Sequence, residues 1–158
     1  MRKIIYLLLL SMTTYIASSQ TVNLGSAKKI AENYYHAYSK SPNKSNNVEA
    51  TLLKSEINNN DTLYYIFNIG NEGFVIVSGE FTKSPVLGYS DEGTIDLNNM
   101  SPEFKYWLDG YATQIANVKK VNKAEKKLSS VNIDSYINKL KQKSGEPTSR
   151  GISQLLKT

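Results

Sequence analysis

The chain has 158 residues, a formal net charge of +5 and no cysteine. The missing thiol excludes cysteine nucleophiles, zinc–thiolate and iron–sulfur centres, disulfide staples and lipid attachment to a cysteine. The length suits one domain large enough to bury its own core.

Arg2 and Lys3 precede an apolar run over residues 4–10, and Ala17-Ser18-Ser19 supplies small residues ahead of Gln20. This pattern predicts a secretory signal over 1–19. An uncleaved membrane anchor is the alternative. Ser11, Thr13 and Thr14 interrupt the run, and a bilayer crossing needs roughly 20 apolar residues. Losing Arg2 and Lys3 takes the net charge to 5 − 2 = +3, a mild excess that steers partners weakly at physiological salt. The expectation is an exported protein, secreted or periplasmic, with no stable membrane association once the signal is removed.

Downstream, Ser26 is placed to cap a first helix, and Ala27, Ile30, Ala31, Tyr34, Tyr35 and Tyr38 recur at helical spacing. A polar loop follows over 41–47. Residues 48–55 alternate imperfectly as a strand, and Asn58-Asn59-Asn60-Asp61 signals a turn. Residues 62–69 put Leu63, Tyr65, Phe67 and Ile69 on one face and Tyr64, Ile66 and Asn68 on the other. Gly70 and Gly73 frame a hairpin turn, where glycine supplies positive φ. Phe74-Val75-Ile76-Val77 reads as a central strand, apolar on both faces, and 86–89 as a fourth, short one. The short links between them suit antiparallel neighbours.

Ser101-Pro102 then signals a helix start: a hydroxyl cap, then proline at the first helical position. Phe104, Trp107, Leu108, Tyr111, Ile115 and Val118 form its apolar stripe, predicted to lie across the sheet. The continuation through Lys119, Lys120, Lys123, Lys126 and Lys127 reads as polar. Ile133, Tyr136, Ile137 and Leu140 mark a last short helix. The fold class is α+β, a small antiparallel sheet of about four strands packed against two or three helices. The domain is expected over 20–143, with a linker and an apolar tail over 144–158.

No constellation announces catalysis. His36 is the only histidine, which argues for an ordinary half-exposed helix residue rather than a metal ligand or catalytic base. The Gly70-x-x-Gly73 loop leads into a strand, whereas a phosphate cradle leads into a helix N-terminus. Asp91, Glu92, Asp96, Glu103 and Asp109 lie close in sequence, but no spacing defines the separation a carboxylate pair requires. The lysines over 119–143 have only Tyr136 as a neighbouring aromatic platform, so a solvated face is favoured and no nucleic-acid partner is expected. Eleven tyrosines suit either a covered sheet face or a contact surface.

Read together, Gly73-Phe74-Val75-Ile76-Val77-Ser78-Gly79, Ser84-Pro85, Leu87-Gly88-Tyr89-Ser90 and Trp107-Leu108-x-x-Tyr111-x-x-Gln114-Ile115 carry a resemblance. The block resembles the prosegment of streptopain-type (family C10) cysteine proteases and the stand-alone Spi-like inhibitors related to it, over roughly 27–114. In that family the module packs on the protease, covers the substrate cleft and sets a loop near the catalytic residues. The resemblance therefore implies a streptopain-like cysteine protease as partner, and no enzyme activity or cofactor of the chain's own. By match of position the inhibitory loop is Asp96, Leu97, Asn98, Asn99, Met100, Ser101, Pro102 and Glu103. Pro102-Glu103 stands where family members often carry an asparagine, leaving Asn98, Asn99 and Glu103 as the side chains to enter the cleft. The tail Ile152-Ser153-Gln154-Leu155-Leu156-Lys157-Thr158 looks like the junction at which a zymogen's catalytic domain begins. A truncated zymogen, or a folding helper for a protease supplied in trans, is the alternative expectation. A tyrosine-rich binding module is a further one.

Overall fold

A computed structural model describes residues 21–40, 48–121 and 132–145 in full, and the helical backbone of 122–125. The expected signal, the 41–47 loop, Lys126, Lys127 and the tail beyond Gly145 lie outside the described residues.

Helix α1 (Leu24–Tyr38) leads into strands β1 (Ala50–Asn58), β2 (Asp61–Ile69), β3 (Gly73–Ser78) and β4 (Val86–Ser90). A 3₁₀ turn (Leu97–Asn99), helix α2 (Pro102–Glu125) and helix α3 (Ile133–Ser144) follow. The strands form one antiparallel sheet in chain order, the α+β architecture that the sequence implies. Among the described residues no helix is long and apolar enough to cross a membrane.

Both sheet faces are covered, which is why the two inner strands are almost continuously apolar. On one face α1 and α3 bury Ala27, Ile30, Tyr35 and Ile137 against Tyr65, Phe67, Val75 and Val77. On the other α2 buries Leu108 and Ile115 against Tyr64, Ile66, Ile76 and Ile95. Fully burying side chains such as Phe67 or Ile76 is worth about 1.5–3 kcal/mol each. Leu63 departs from the alternation and joins the α2-side core.

The ends of these elements correct the sequence reading in several places. The α1 cap is Asn23, whose side chain accepts from the Ser26 N–H at 2.8 Å, so the helix begins before Ser26. Strand β1 starts at Ala50 and runs on to Asn58, where a two-residue hairpin loop follows. Asn59 and Asn60 both have positive φ, 49° and 65°, as a type I′ turn demands. Gly70 has the expected positive φ of 51°. Gly73 is required for a different reason: a Cβ there would collide with the Ser90 carbonyl oxygen and lie 2.7 Å from Tyr35 Cε2. Ser144 closes α3, and Gly145 caps it in the left-handed region at φ 79°.

The largest correction concerns α2. Val118 is 43% exposed, whereas Lys119 is buried and belongs to the inward stripe with Leu108 and Ile115. Lys119 Nζ pairs with Glu80 Oε2 at 3.5 Å, the two side chains being 5% and 4% exposed, and donates to the Gly79 carbonyl at 3.2 Å. The same carbonyl accepts from the Val22 N–H, and Val22 O accepts from the Tyr65 hydroxyl. One point at the end of β3 thus ties together α2, the sheet and the segment leading into α1.

Candidate functional site: a clamped loop between β4 and α2

Residues 96–103 lead into the first turn of α2, and each end is fixed by identifiable bonds. Ile95 is buried in the α2-side core, while Asp96 is exposed. Asn68 on β2 holds Ile95 through both of its amide atoms: Oδ1 accepts from the Ile95 N–H and Nδ2 donates to the Ile95 carbonyl, each at 3.0 Å. Asp96 then caps the 3₁₀ turn, its carboxylate accepting from the Asn98 N–H at 2.9 Å and its carbonyl from the Asn99 N–H at 3.1 Å.

Within the loop the side chains divide by direction. Leu97 and Met100 are half-buried and pack on the α2-side core. Asn98 and Asn99 are exposed on the turn between them. At the far end the Ser101 hydroxyl accepts from the Phe104 N–H at 3.2 Å, and Pro102 opens the helix as its sequence signal requires. Glu103 is exposed on that first turn. Hydrogen bonds from its own backbone N–H and then from Ser101 hold its carboxyl below the usual carboxylate range. Ser101, Pro102 and Glu103 are also exposed, so the outward set is Asp96, Asn98, Asn99, Ser101, Pro102 and Glu103.

Beneath the helix end of the loop lies a row of rings. Phe74 meets Phe104 edge-on at 6.2 Å, Phe104 stacks on Trp107 at 5.7 Å, and Trp107 meets Tyr111 edge-on at 4.6 Å. Trp107 covers Gly88 on β4, where its Cη2 lies 3.0 Å from the position a Cβ would take. The loop is thus pinned to the α2-side core and its aromatic footing, with polar residues directed outward.

The other sequence candidates are not gathered here. His36 sits half-buried on α1. Asp91 accepts from the Lys40 N–H at 2.8 Å, joining the end of β4 to the end of α1. Asp109 lies two turns along α2. Among the described residues no group of acids and histidine is arranged to hold a metal ion. Sequence reasoning missed Asn68, whose partner is 27 residues away. It also passed over the outward face of α2 around Tyr106 and Gly110, for which a tyrosine off the apolar stripe, four residues before a mid-helix glycine, was the available signal.

Comparison with known proteins identifies the family. Residues 19–115 match a family described as Spi protease inhibitor. Over 58 residues the chain is 38% identical to streptopain of Streptococcus pyogenes, and equally to streptopain of its serotype M1 and of serotype M3 strain SSI-1. Each alignment covers 37% of this chain and 14% of the relative, so the chain matches only a small part of those proteins' length. No solved structure matches it.

Proposed function

The chain belongs to the Spi protease inhibitor family, and on that premise we propose that it is an exported, noncovalent inhibitor of a streptopain-like cysteine protease. Its inhibitory element is the loop over 96–103, laid across the substrate cleft. The observation that carries the reading is the clamp: Asn68, Asp96 and Ser101 fix the loop while Asn98, Asn99 and Glu103 stay exposed. A loop already ordered in the free protein loses less conformational freedom on docking, which favours tight binding without a covalent bond. The chain has no cysteine, so any thiol at the interface is the partner's. A body of this size accommodates an interface of about 1,600 Å² in total.

The mechanism is steric exclusion. The turn formed by Asn98 and Asn99 occupies the cleft, and the half-buried Leu97 and Met100 resist its being drawn into an extended, cleavable form. Titrating the purified chain against such a protease should abolish peptide hydrolysis at near-stoichiometric ratios. Undiminished hydrolysis at micromolar excess of folded chain would overturn the reading.

The likeness to streptopain itself favours a second reading, in which the module assists folding of a protease supplied in trans. Refolding the denatured protease with and without the chain separates the two: a helper raises the recovered yield, and a pure inhibitor leaves it unchanged.

A further inference from the structure

Helix α2 spends a glycine where the free protein has no use for one. Gly110 lies mid-helix and exposed, and a Cβ at that position would meet nothing within 4 Å. Its φ is not positive, so no turn demands it. A glycine in a helix interior is less favourable than alanine by about 1 kcal/mol. Glycine is elsewhere the residue that lets another surface approach the backbone closely.

The surroundings of Gly110 are compatible with that use. Residues three and four apart on a helix share a face, and Glu103, Tyr106, Trp107, Gly110 and Gln114 line a shallow open hollow on the side of α2 turned away from Leu108 and Ile115. Tyr106 is 82% exposed, the most exposed large side chain of apolar character among the described residues. Trp107, at the rim, is held in place by Phe104 and Tyr111. Rigid aromatic side chains next to a pocket are the usual energetic centres of protein interfaces. The hollow begins at Glu103, so it adjoins the helix end of the 96–103 loop, and Glu103 and Asp109 make its border acidic.

We infer that this face of α2 is a second docking surface for the same protease, receiving a protruding segment with a basic border from beside the cleft, with Gly110 as the point of closest approach and Tyr106 as the anchor. The inference rests on the proposed inhibitory function and names its other half: the loop blocks, and the helix face supplies affinity. Opposite charges across the border speed encounter more than they hold the complex.

The test uses the full chain and Gly110→Ala, Tyr106→Ala and Asp109→Lys, each measured for thermal stability and for association and dissociation with a streptopain-like protease. Gly110→Ala should raise Tm by a few degrees and yet weaken binding roughly tenfold, because the added methyl helps the helix and obstructs the partner. Tyr106→Ala should weaken binding roughly 30-fold with Tm unchanged. Asp109→Lys should slow association several-fold and reduce its salt dependence. If the parent chain inhibits and the Gly110 and Tyr106 variants inhibit equally well, the docking surface is refuted and the blocking loop stands. A lowered Tm for Gly110→Ala assigns the glycine a structural role and overturns the inference. So does a Tyr106-dependent dimer in sedimentation, since it gives the face to a second copy. Absence of any binding by the parent chain overturns the inhibitory function itself.

Discussion

Asn68 shows how a single side chain can decide whether a loop is a tool or a tether. Its amide satisfies both backbone polar groups of Ile95, the residue just ahead of the loop. Asn68→Ala removes both bonds and leaves a partly buried N–H and C=O without them, at a cost of about 1–3 kcal/mol. The same variant should inhibit more weakly than its stability loss alone explains, because the loop must then be ordered on docking; denaturant titration and inhibition assays on one preparation check both. Lys119 acts instead on the body of the protein. Removing one member of a buried ion pair costs about 3–5 kcal/mol, whereas replacing both by apolar groups is often close to neutral. Lys119→Leu should therefore destabilise strongly, and the double variant with Glu80→Leu should lose less than the two single losses added together. Urea unfolding of the four proteins in this cycle measures the difference.

Among the elements, the β1–β2 hairpin and the β3–β4 pair respond oppositely to glycine. Asn60 has φ of 65° without being glycine, so Asn60→Gly should stabilise by a few tenths of a kcal/mol, and a β-branched residue there should destabilise. Gly73→Ala should cost at least about 1–3 kcal/mol, since the methyl meets Ser90 backbone and the Tyr35 ring, neither of which can withdraw freely. Thermal melts of the two variants should move in opposite directions. The elements themselves were legible because their signals are local. Ser101-Pro102 marks the start of α2, the asparagines mark a turn, and the doubly apolar run of β3 marks an inner strand. Most of what escaped depends on distant partners, and one local choice escaped as well. The true α1 cap was hidden because Asn23 and Ser26 are both good caps, and only the backbone shows which one accepts the bond. Lys119 was read as solvated because its partner Glu80 lies 39 residues away, just past the end of β3, although its spacing of eleven from Leu108 places it on the inward stripe. The loop's position followed from resemblance; its clamp could not, since nothing near Asn68 in sequence points to Ile95.

For the whole molecule, three layers held without disulfides place the burden of stability on packing, and the tyrosines inherit a pH limit from it. Burial, and then neighbouring Tyr34 and Tyr38, push the Tyr136 phenol up from 10.0 to about 12. Burial, followed by the Glu56 and Asp109 carboxylates, also raises Tyr64. Above the unfolded pKa the unfolded chain has released these protons and the folded chain has not, so it binds fewer and stability falls as pH rises. The contribution is complete below about pH 10 and disappears as pH climbs through about 12. Tyr136→Phe should flatten part of that decline in denaturant titrations across the range. On the proposed inhibitory function, such a packed body would present the loop as a fixed plug rather than a flexible bait. The most direct measurement of that claim is the rate at which a thiol reagent alkylates the catalytic cysteine of a streptopain-like protease, with and without saturating amounts of this chain. The account predicts that the bound chain shields the cysteine and alkylation nearly stops; a stable complex in which the cysteine reacts at its free rate would contradict it.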